Sequence, residues 1–495
     1  MLSDVATPLC PAGHSAGFQP ADATQSRLLG FGFEAVGRQS AILGFVIFLG
    51  FGILGFGISA RASSDSTPKI TLTSTPAQIL RFGIDAERLW FWRPEIGAQL
   101  AALGVTELKA DFVRVAIDCA YEREEGVKKP EVYTPILAMM AEMKKASPNI
   151  KFFATPRPLF NAYTKEESRA IFGKDQAPWT PYPGWISGLK QFGTTKLDVK
   201  KLTQYFADYL NLMHKHGFDI DYMDITNEKQ LATAASMLYI HEALPTLLDK
   251  GVKMPLLLAP STYDYQAGAD FLNSIDPQSR EAKGFDIAST HNTKETGSPE
   301  AFAKAARRLD KEAWSTELHN WTGVTQAEDI KNSQIFWRHI RAGFSGFDTW
   351  LFYGSEKLRP HSMIGANGRP DKIIRTAKYE IYKKVANTVN LGNYVPSTSS
   401  VSALMPVAMK KGDQMLVCIL NTTGKPVENI TVELPAAQKI ASDISATFWD
   451  ETTPAAGKDS ALKPAPAPAQ NSFSFDSPPN TLWCFVFKTS GSDNP

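Results

Sequence analysis

The sequence predicts an α/β fold, a (β/α)8 TIM barrel followed by a C-terminal antiparallel β-sandwich. Three observations carry that reading. Between Arg81 and Asn390, short apolar runs alternate with longer stretches of helical period, the pattern of a parallel sheet with crossover helices. Beyond about Leu391 the texture changes to Val/Leu/Ile-rich strands separated by turns. The chain has 495 residues, 43% of them hydrophobic, enough to bury one large core and one smaller one.

The expected barrel strands lie near Arg81–Asp85, Phe112–Ile117, Ile150–Thr155, Tyr222–Thr226, Pro255–Ala259, Phe285–Thr290, Ala313–Thr316 and Phe347–Phe352. Helical periodicity falls between them at Pro135–Ala146, Val199–His216, Leu231–Lys250, Pro299–Leu309 and Ala327–Ala342, with a closing helix at Lys372–Asn390. Eight such units close into a ring whose reacting groups sit at the C-terminal strand ends. Between the third and fourth strands, Tyr163–Thr195 reads as a long cleft-lining loop. Its Pro178-Trp179, Pro181-Tyr182-Pro183 and Gly184-Trp185 steps are too irregular for a helix and too aromatic for an idle linker.

Further strands are expected at Met415–Leu420, Ile430–Leu434, Ala446–Trp449 and Thr481–Lys488, with Thr452–Asn471 as a stiff loop around a Pro/Ala repeat at 464–468. A strand at Lys69–Thr73, within 67–75, can join the same sandwich and bring the two ends of the barrel together. The expected division is 1–62 as a signal peptide or membrane anchor, 63–390 as the barrel and 391–495 as the sandwich.

Ala41–Ile58 is almost wholly apolar, preceded by Arg38 and followed by Ala60-Arg61-Ala62, a small-x-small pattern of the signal peptidase kind. Secretion or delivery to the periplasm is expected. At about 18 residues the run also approaches the lower limit of a membrane span, so a cleaved signal and an uncleaved anchor both stay open. The 52 Lys and Arg against 51 Asp and Glu leave a formal charge of +1, without the basic field that a phosphate backbone requires, and nucleic acid is not an expected partner. Cys10, Cys119, Cys418 and Cys484 show no CxxC spacing, and the eight histidines no HxH or HExxH, so no metal and no cofactor are expected. Cys418 and Cys484 both lie in apolar strand-like runs; buried free thiols are the default reading there, with a bridge as the alternative. No GxSxG elbow points to a serine hydrolase. A monomer acting on carbohydrate is the expected state, and the ten Trp and fourteen Tyr supply flat rings of the kind that stack on sugars.

The chemistry is carried by two strand ends. The fourth closes on Asp224-Ile225-Thr226-Asn227-Glu228 and the seventh on Trp314-Ser315-Thr316-Glu317, delivering two carboxyls to one rim. Such a pair suits glycoside cleavage, where one acid protonates the leaving oxygen and the other meets the developing oxocarbenium ion. Strands four and seven stand well apart around the ring, so their side chains can reach inward from opposite walls of the cleft, and a carboxyl separation of about 5 to 5.5 Å, the retaining geometry, is expected.

Asn-Glu on strand four with Glu on strand seven resembles the signature of glycoside hydrolase clan A. Thr226-Asn227-Glu228 and Trp314-Ser315-Thr316-Glu317-Leu318-His319, with the appended sandwich, look most like family 30 over Phe82–Phe487. The resemblance implies a retaining hydrolase that cleaves β-glycosidic bonds of an oligo- or polysaccharide by double displacement. It implies Glu228 as acid/base, Glu317 as nucleophile and Asn227 as donor to the sugar 2-hydroxyl. Arg114 matches the clan's arginine near the nucleophile, His291 the strand-six residue within its reach, and Trp350 the aromatic floor under the reacting sugar. Asp85, Trp92, Trp179 and Trp185 are further candidates for sugar contact, against packing or salt-bridge roles. Lys357 and Arg359 suit either an acidic substituent or a solvated face. One departure is Lys229 directly after the acid/base, where clan members often have proline; a nearby ammonium there would lower the acid's proton affinity. A catalytically silent carbohydrate-binding protein on this fold, and a clan A hydrolase for algal or sulfated polysaccharide, are the competing readings.

Overall fold

The computed structural model describes residues 67–73, 78–86, 96–354, 361–366, 373–460, 462 and 470–491. The apolar run at 41–58, Trp92, Lys357, Arg359 and the Pro/Ala repeat at 464–468 lie outside them. Among the described residues no helix is long and apolar enough to cross a membrane.

Eight strands close into a parallel barrel: Arg81–Asp85, Phe112–Asp118, Lys151–Arg157, Tyr222–Asp224, Leu256–Thr262, Ile287–His291, Glu312–Leu318 and Phe344–Thr349. The eighth returns to the first, with Arg81 opposite Gly346 and Phe82 opposite Phe347. All eight expected strands are present, the first with the expected bounds and the others with shifted ends. The fourth stops at Asp224, short of Thr226-Asn227-Glu228, because Glu228 turns to φ 55 and leaves the extended region.

The helices depart further from their sequence periods. The expected Leu231–Lys250 helix is only Ala234–Ala243, capped by Thr233 and followed by a tight turn at Leu244–Thr246 that contains Pro245. The expected Ala327–Ala342 helix is two, Gln326–Asn332 and Gln334–Ala342, meeting at Ser333. A helix, Gly97–Ala101, running into a wider π turn at Ala102–Glu107, fills the first crossover, where none was expected. The Tyr163–Thr195 segment is also not helix-free. Lys165–Phe172 is a helix with a reciprocal Thr164/Glu167 capping box and Gly173 at φ 68 closing it.

Inside the barrel the side chains form layers. At the base Phe112, Phe153, Tyr222, Leu258, Ile287 and Trp314 make an apolar plug, with Trp314 stacked on Phe112 at 5.2 Å and tilted against Tyr222 at 4.9 Å. Gly83 and Gly346 leave the room these rings need, since a Cβ at either would sit 2.1 Å from a ring atom of Phe112 or Trp314. Above the plug the inward residues turn polar and charged, and the barrel mouth follows.

Beyond the closing helix, Ala377–Val389, two sheets pack face to face. The smaller runs Ser397–Ser399, Lys69–Leu72, Val427–Glu433, Ser472–Ser477; the larger is built on Leu404–Lys411, Gln414–Asn421, Leu482–Ser490 and Ser445–Trp449. Ile70, Ile430, Val432 and Phe473 of the first meet Val417, Phe485 and others of the second in a shared core. The sandwich is not purely antiparallel, as expected from its turns: Lys69–Leu72 pairs antiparallel with Ser397–Ser399 but parallel with Val427–Glu433. The larger sheet turns its outer face, with Leu416, Cys418, Leu420 and Cys484, into the barrel's own core cluster. Burial on both faces is why Met415–Leu420 is apolar at every position. Cys418 and Cys484 stand directly opposite each other as free thiols.

Gly346→Ala should test the plug. Its methyl group collides with Trp314, and we expect a loss of about 1–3 kcal/mol in urea unfolding.

Candidate active site

The site begins below the surface, with Arg114 on the second strand. Its guanidinium is fully buried; Nη1 lies 3.0 Å from Asp85 Oδ2 and also contacts Glu317 Oε1, while Nη2 donates to Thr155 Oγ1 at 3.1 Å. Thr155 donates in turn to Asp224 Oδ2 at 3.1 Å, and Ser261 donates to Asp224 Oδ1. Burial pushes Asp224 up to about 6, against Arg114 and these hydroxyl donors. Asp85, expected among the sugar contacts, is corrected by this arrangement: its side chain is wholly enclosed and faces Arg114 from beneath the cleft.

Glu317 is aimed by irregular pairing. The register between the sixth and seventh strands slips between Thr290 and His291, and that between the seventh and eighth slips between Ser315 and Leu318, bringing His291 opposite Glu317. Glu317 Oε2 accepts from His319 Nε2 at 2.7 Å. Burial works to raise the pKa of Glu317, but Arg114, then His291 and His319, outweigh it and hold the carboxyl well below the usual carboxylate range. Glu317 is therefore an anion at neutral pH.

Glu228 arrives from the opposite wall. Its left-handed backbone, an uncommon conformation for this residue type, is fixed by its N–H donating to the Ser261 carbonyl at 2.6 Å. Glu228 Oε1 accepts from Thr293 Oγ1 at 3.0 Å. His291 stands between the two acids, its Nδ1 3.7 Å from Glu228 Oε1 and 3.5 Å from Glu317 Oε2. Burial lowers the His291 pKa, yet Glu317 and then Glu228 raise it on balance. One carboxylate oxygen of Glu228, one of Glu317, and one ring nitrogen each of His291 and His319 all lie within 4.8 Å of one another. That spacing can also close around a metal ion, although Arg114, in contact with Glu317, sets a positive charge beside a cation there.

The other expected residues divide. Asn227 is buried with Nδ2 donating to the Pro156 carbonyl at 2.9 Å; its Oδ1 is enclosed and has no hydrogen-bond partner among the described residues. Trp350 follows the eighth strand, half-buried, and stacks on His319 with ring centroids 4.7 Å apart. Trp179 is half-buried, and its carbonyl accepts from Lys229 Nζ at 3.2 Å, which keeps that ammonium on the aromatic loop. Tyr182 of the same loop donates to the Ile225 carbonyl at 2.8 Å, fastening the loop under the Asn-Glu turn. Trp185 is a correction: it is buried in the core, its Nε1 donating to the Glu122 carbonyl at 2.8 Å, so it holds the loop down and meets no sugar.

Three contributors were missing from the sequence-based set. His319 holds Glu317, Thr293 holds Glu228, and Asn292 ties the two loops, accepting from His319 N–H at 2.6 Å and donating to its carbonyl at 3.0 Å. The histidine two residues beyond Glu317 was a visible signal. Thr293 and Asn292 depend on turn geometry with no sequence mark of its own. Beside Thr293 opens a polar hollow of about 560 Å³, lined by Asn320, Thr322, Asn332, Gln334 and Arg338 among others.

Residues 175–357, from the aromatic loop past the eighth strand, match the family model of glycosyl hydrolase family 59. No curated protein matches the chain in sequence. Solved structures share the fold: a GH30 endoxylanase from Clostridium papyrosolvens has 16% identity and a TM-score of 0.60, over 86% of this chain and 100% of that one. A family 30 subfamily 8 xylanase from Clostridium acetobutylicum has 15% and 0.62, over 85% and 99%. An endo-β-1,6-glucanase has 15% and 0.58, over 85% and 94%. Fold and family model together define the class: the chain is an O-glycoside hydrolase whose barrel resembles those of clan A. Its architecture is of the family 30 kind, a barrel with a side sandwich, while the matching sequence model is that of family 59.

Replacing His319 by Phe retains a ring on Trp350 but removes the donor to Glu317. Losing a hydrogen bond to the carboxylate favours its neutral form, so the pKa of Glu317 rises. The acid limb of the pH profile of kcat/KM should move up by about one unit, read on a chromogenic glycoside.

Proposed function

We propose that this enzyme cleaves β-linked oligo- or polysaccharide outside the cytoplasm with net retention, using Glu317 as nucleophile and Glu228 as acid/base. The observation that carries the reading is the approach of the two carboxyls. Their nearer oxygens come within 4.8 Å, which suits direct displacement and falls short of the wider spacing with which an inverting pair seats an attacking water beside the sugar. Burial and partners separate the two acids into roles. Glu317, paired with Arg114 and His319, carries the negative charge that attacks the anomeric carbon. Glu228, held by Thr293, gives its proton to the glycosidic oxygen as that bond breaks. The glycosyl ester on Glu317 is then cleaved by water, which Glu228, now a carboxylate, deprotonates; Glu317 leaves as an anion and Glu228 regains its proton.

In this reading Asn227, next to Glu228 in the chain, contacts the sugar 2-hydroxyl, and Trp350, backed by His319, supplies the flat apolar wall. An intact acid pair supported on every side argues for a working enzyme over a silent binding protein. The endoxylanase and the endo-β-1,6-glucanase of the same fold favour a polymeric substrate. The apolar run at 41–58 takes the chain out of the cytoplasm, as cleaved signal or anchor.

A screen of β-linked polysaccharides, followed by NMR of the first-formed anomer, should show a β-product; an initial α-anomer overturns the retaining reading. Glu317→Ala should lower turnover by a factor on the order of 10⁴ with folding unchanged, and azide should restore turnover as an α-glycosyl azide. Turnover near the wild-type rate in that variant removes Glu317 from its role. Glu228→Ala should slow natural glycosides about 10²–10⁴-fold but leave bond cleavage in an activated aryl glycoside far less affected. Equal losses on both substrates remove Glu228 from proton donation.

A further inference from the structure

One buried acid beneath the nucleophile has no place in the steps above. Asp348 lies on the eighth strand two residues after Gly346, whose α-carbon faces Trp314 of the plug, so the strand alternation points Asp348 into the barrel one layer higher. It is fully enclosed, and neither carboxyl oxygen has a hydrogen-bond partner among the described residues. The charged groups around it come from every side of the ring. Asp85 on the first strand, Arg114 on the second, Asp224 on the fourth and Glu317 on the seventh act on it, with Tyr382 of the closing helix behind. The Tyr382 hydroxyl is engaged with the Gly83 and Phe347 carbonyls, and the Thr155 and Ser261 hydroxyls serve Asp224. Four carboxyls thus share the single guanidinium of Arg114, which is already divided between Asp85 and Glu317.

We propose that Asp348 is a positioning residue that works as a neutral acid: it keeps its proton beneath Glu317, and losing that proton to solvent disables the nucleophile. An ionised Asp348 would be a buried anion without a donor, competing for Arg114 and repelling Glu317, which would then bind a proton itself. Burial and then Asp85 do raise the Asp348 pKa well above its ordinary value, in keeping with the geometry. Of the four acids it is the one without a hydrogen-bond donor among the described residues, so the proton settles there. The consequence is an alkaline limit on activity that belongs to Asp348 and is separate from the proton of Glu228.

The inference rests on Glu317 as nucleophile, and two measurements separate the claims. On an activated aryl glycoside, which needs little proton donation, wild type should still lose kcat/KM at high pH. Asp348→Asn, which cannot ionise, should move that limb upward by at least one unit, giving on the order of tenfold more activity than wild type at the foot of the wild-type limb. An unmoved limb, or a folded variant as inactive as Glu317→Ala, overturns the proposal. The second measurement needs no change at Asp348 and no catalysis. In Glu228→Gln enzyme labelled with ¹³C-carboxyl aspartate, infrared spectroscopy at pH 8 should show an isotope-shifted carbonyl band of a neutral acid. At that pH Asp224, at about 6, is ionised. Absence of the band overturns the proposal whatever role Glu317 holds.

Discussion

The contact between Arg114 and Glu317 is the constraint on which the site depends. A carboxylate enclosed in the mouth of a barrel is expensive to keep charged, and a guanidinium is the one side chain that stays charged there and binds in a fixed plane. Arg114 is itself buried and must be held, which Asp85 and Thr155 do from the strands on either side. Position, charge and orientation of the proposed nucleophile are thereby set by neighbours on three consecutive strands. The chemistry at the rim is an outcome of electrostatics one layer down.

That layer is possible because of what lies under it. The plug of Trp314, Phe112, Tyr222 and their neighbours blocks water from the base of the barrel, so the polar groups above it have only each other and the cleft as partners. The layer is accordingly selective in its satisfaction. Asp224 is met by three hydroxyls, those of Thr155, Ser261 and Ser289, while Asp348 is met by none among the described residues. Inequality among similar acids in one dry compartment is how a protein assigns different protonation states to identical functional groups. The two proposed catalytic carboxyls at the rim likewise have unlike partners, Glu317 an arginine and Glu228 a threonine hydroxyl.

Much of the architecture was legible because each barrel strand is buried on both faces and so reads as an apolar run, as Phe112–Asp118 does around its arginine. The two glutamates were legible for a related reason: a charge closing such a run has nowhere to go but the rim. The helix at Lys165–Phe172 was marked by Thr164, Glu167 and Gly173, and was obscured by the proline- and tryptophan-rich text that follows it. Trp185 was read as a cleft residue because composition does not distinguish an aromatic that faces ligand from one that anchors its own loop. Asp224 and Asp348 passed as ordinary strand polar residues, since their meaning lies in partners from other strands. His319 needed the slipped register of the seventh strand to come round to the side of Glu317.

The strand Lys69–Leu72 has a further implication. It sits between Ser397–Ser399 and Val427–Glu433, and its first amide donates to a serine hydroxyl 331 positions later. During synthesis this segment emerges before the barrel, yet both of its neighbours are made after it. It must wait, unpaired, while the whole ring assembles, and the smaller sheet can be finished only by joining the oldest part of the molecule to the youngest. That late docking makes the sheet a checkpoint of completeness: a product truncated before residue 397 leaves the Lys69–Leu72 strand without either neighbour, an unpaired edge of the kind that proteases and aggregation exploit.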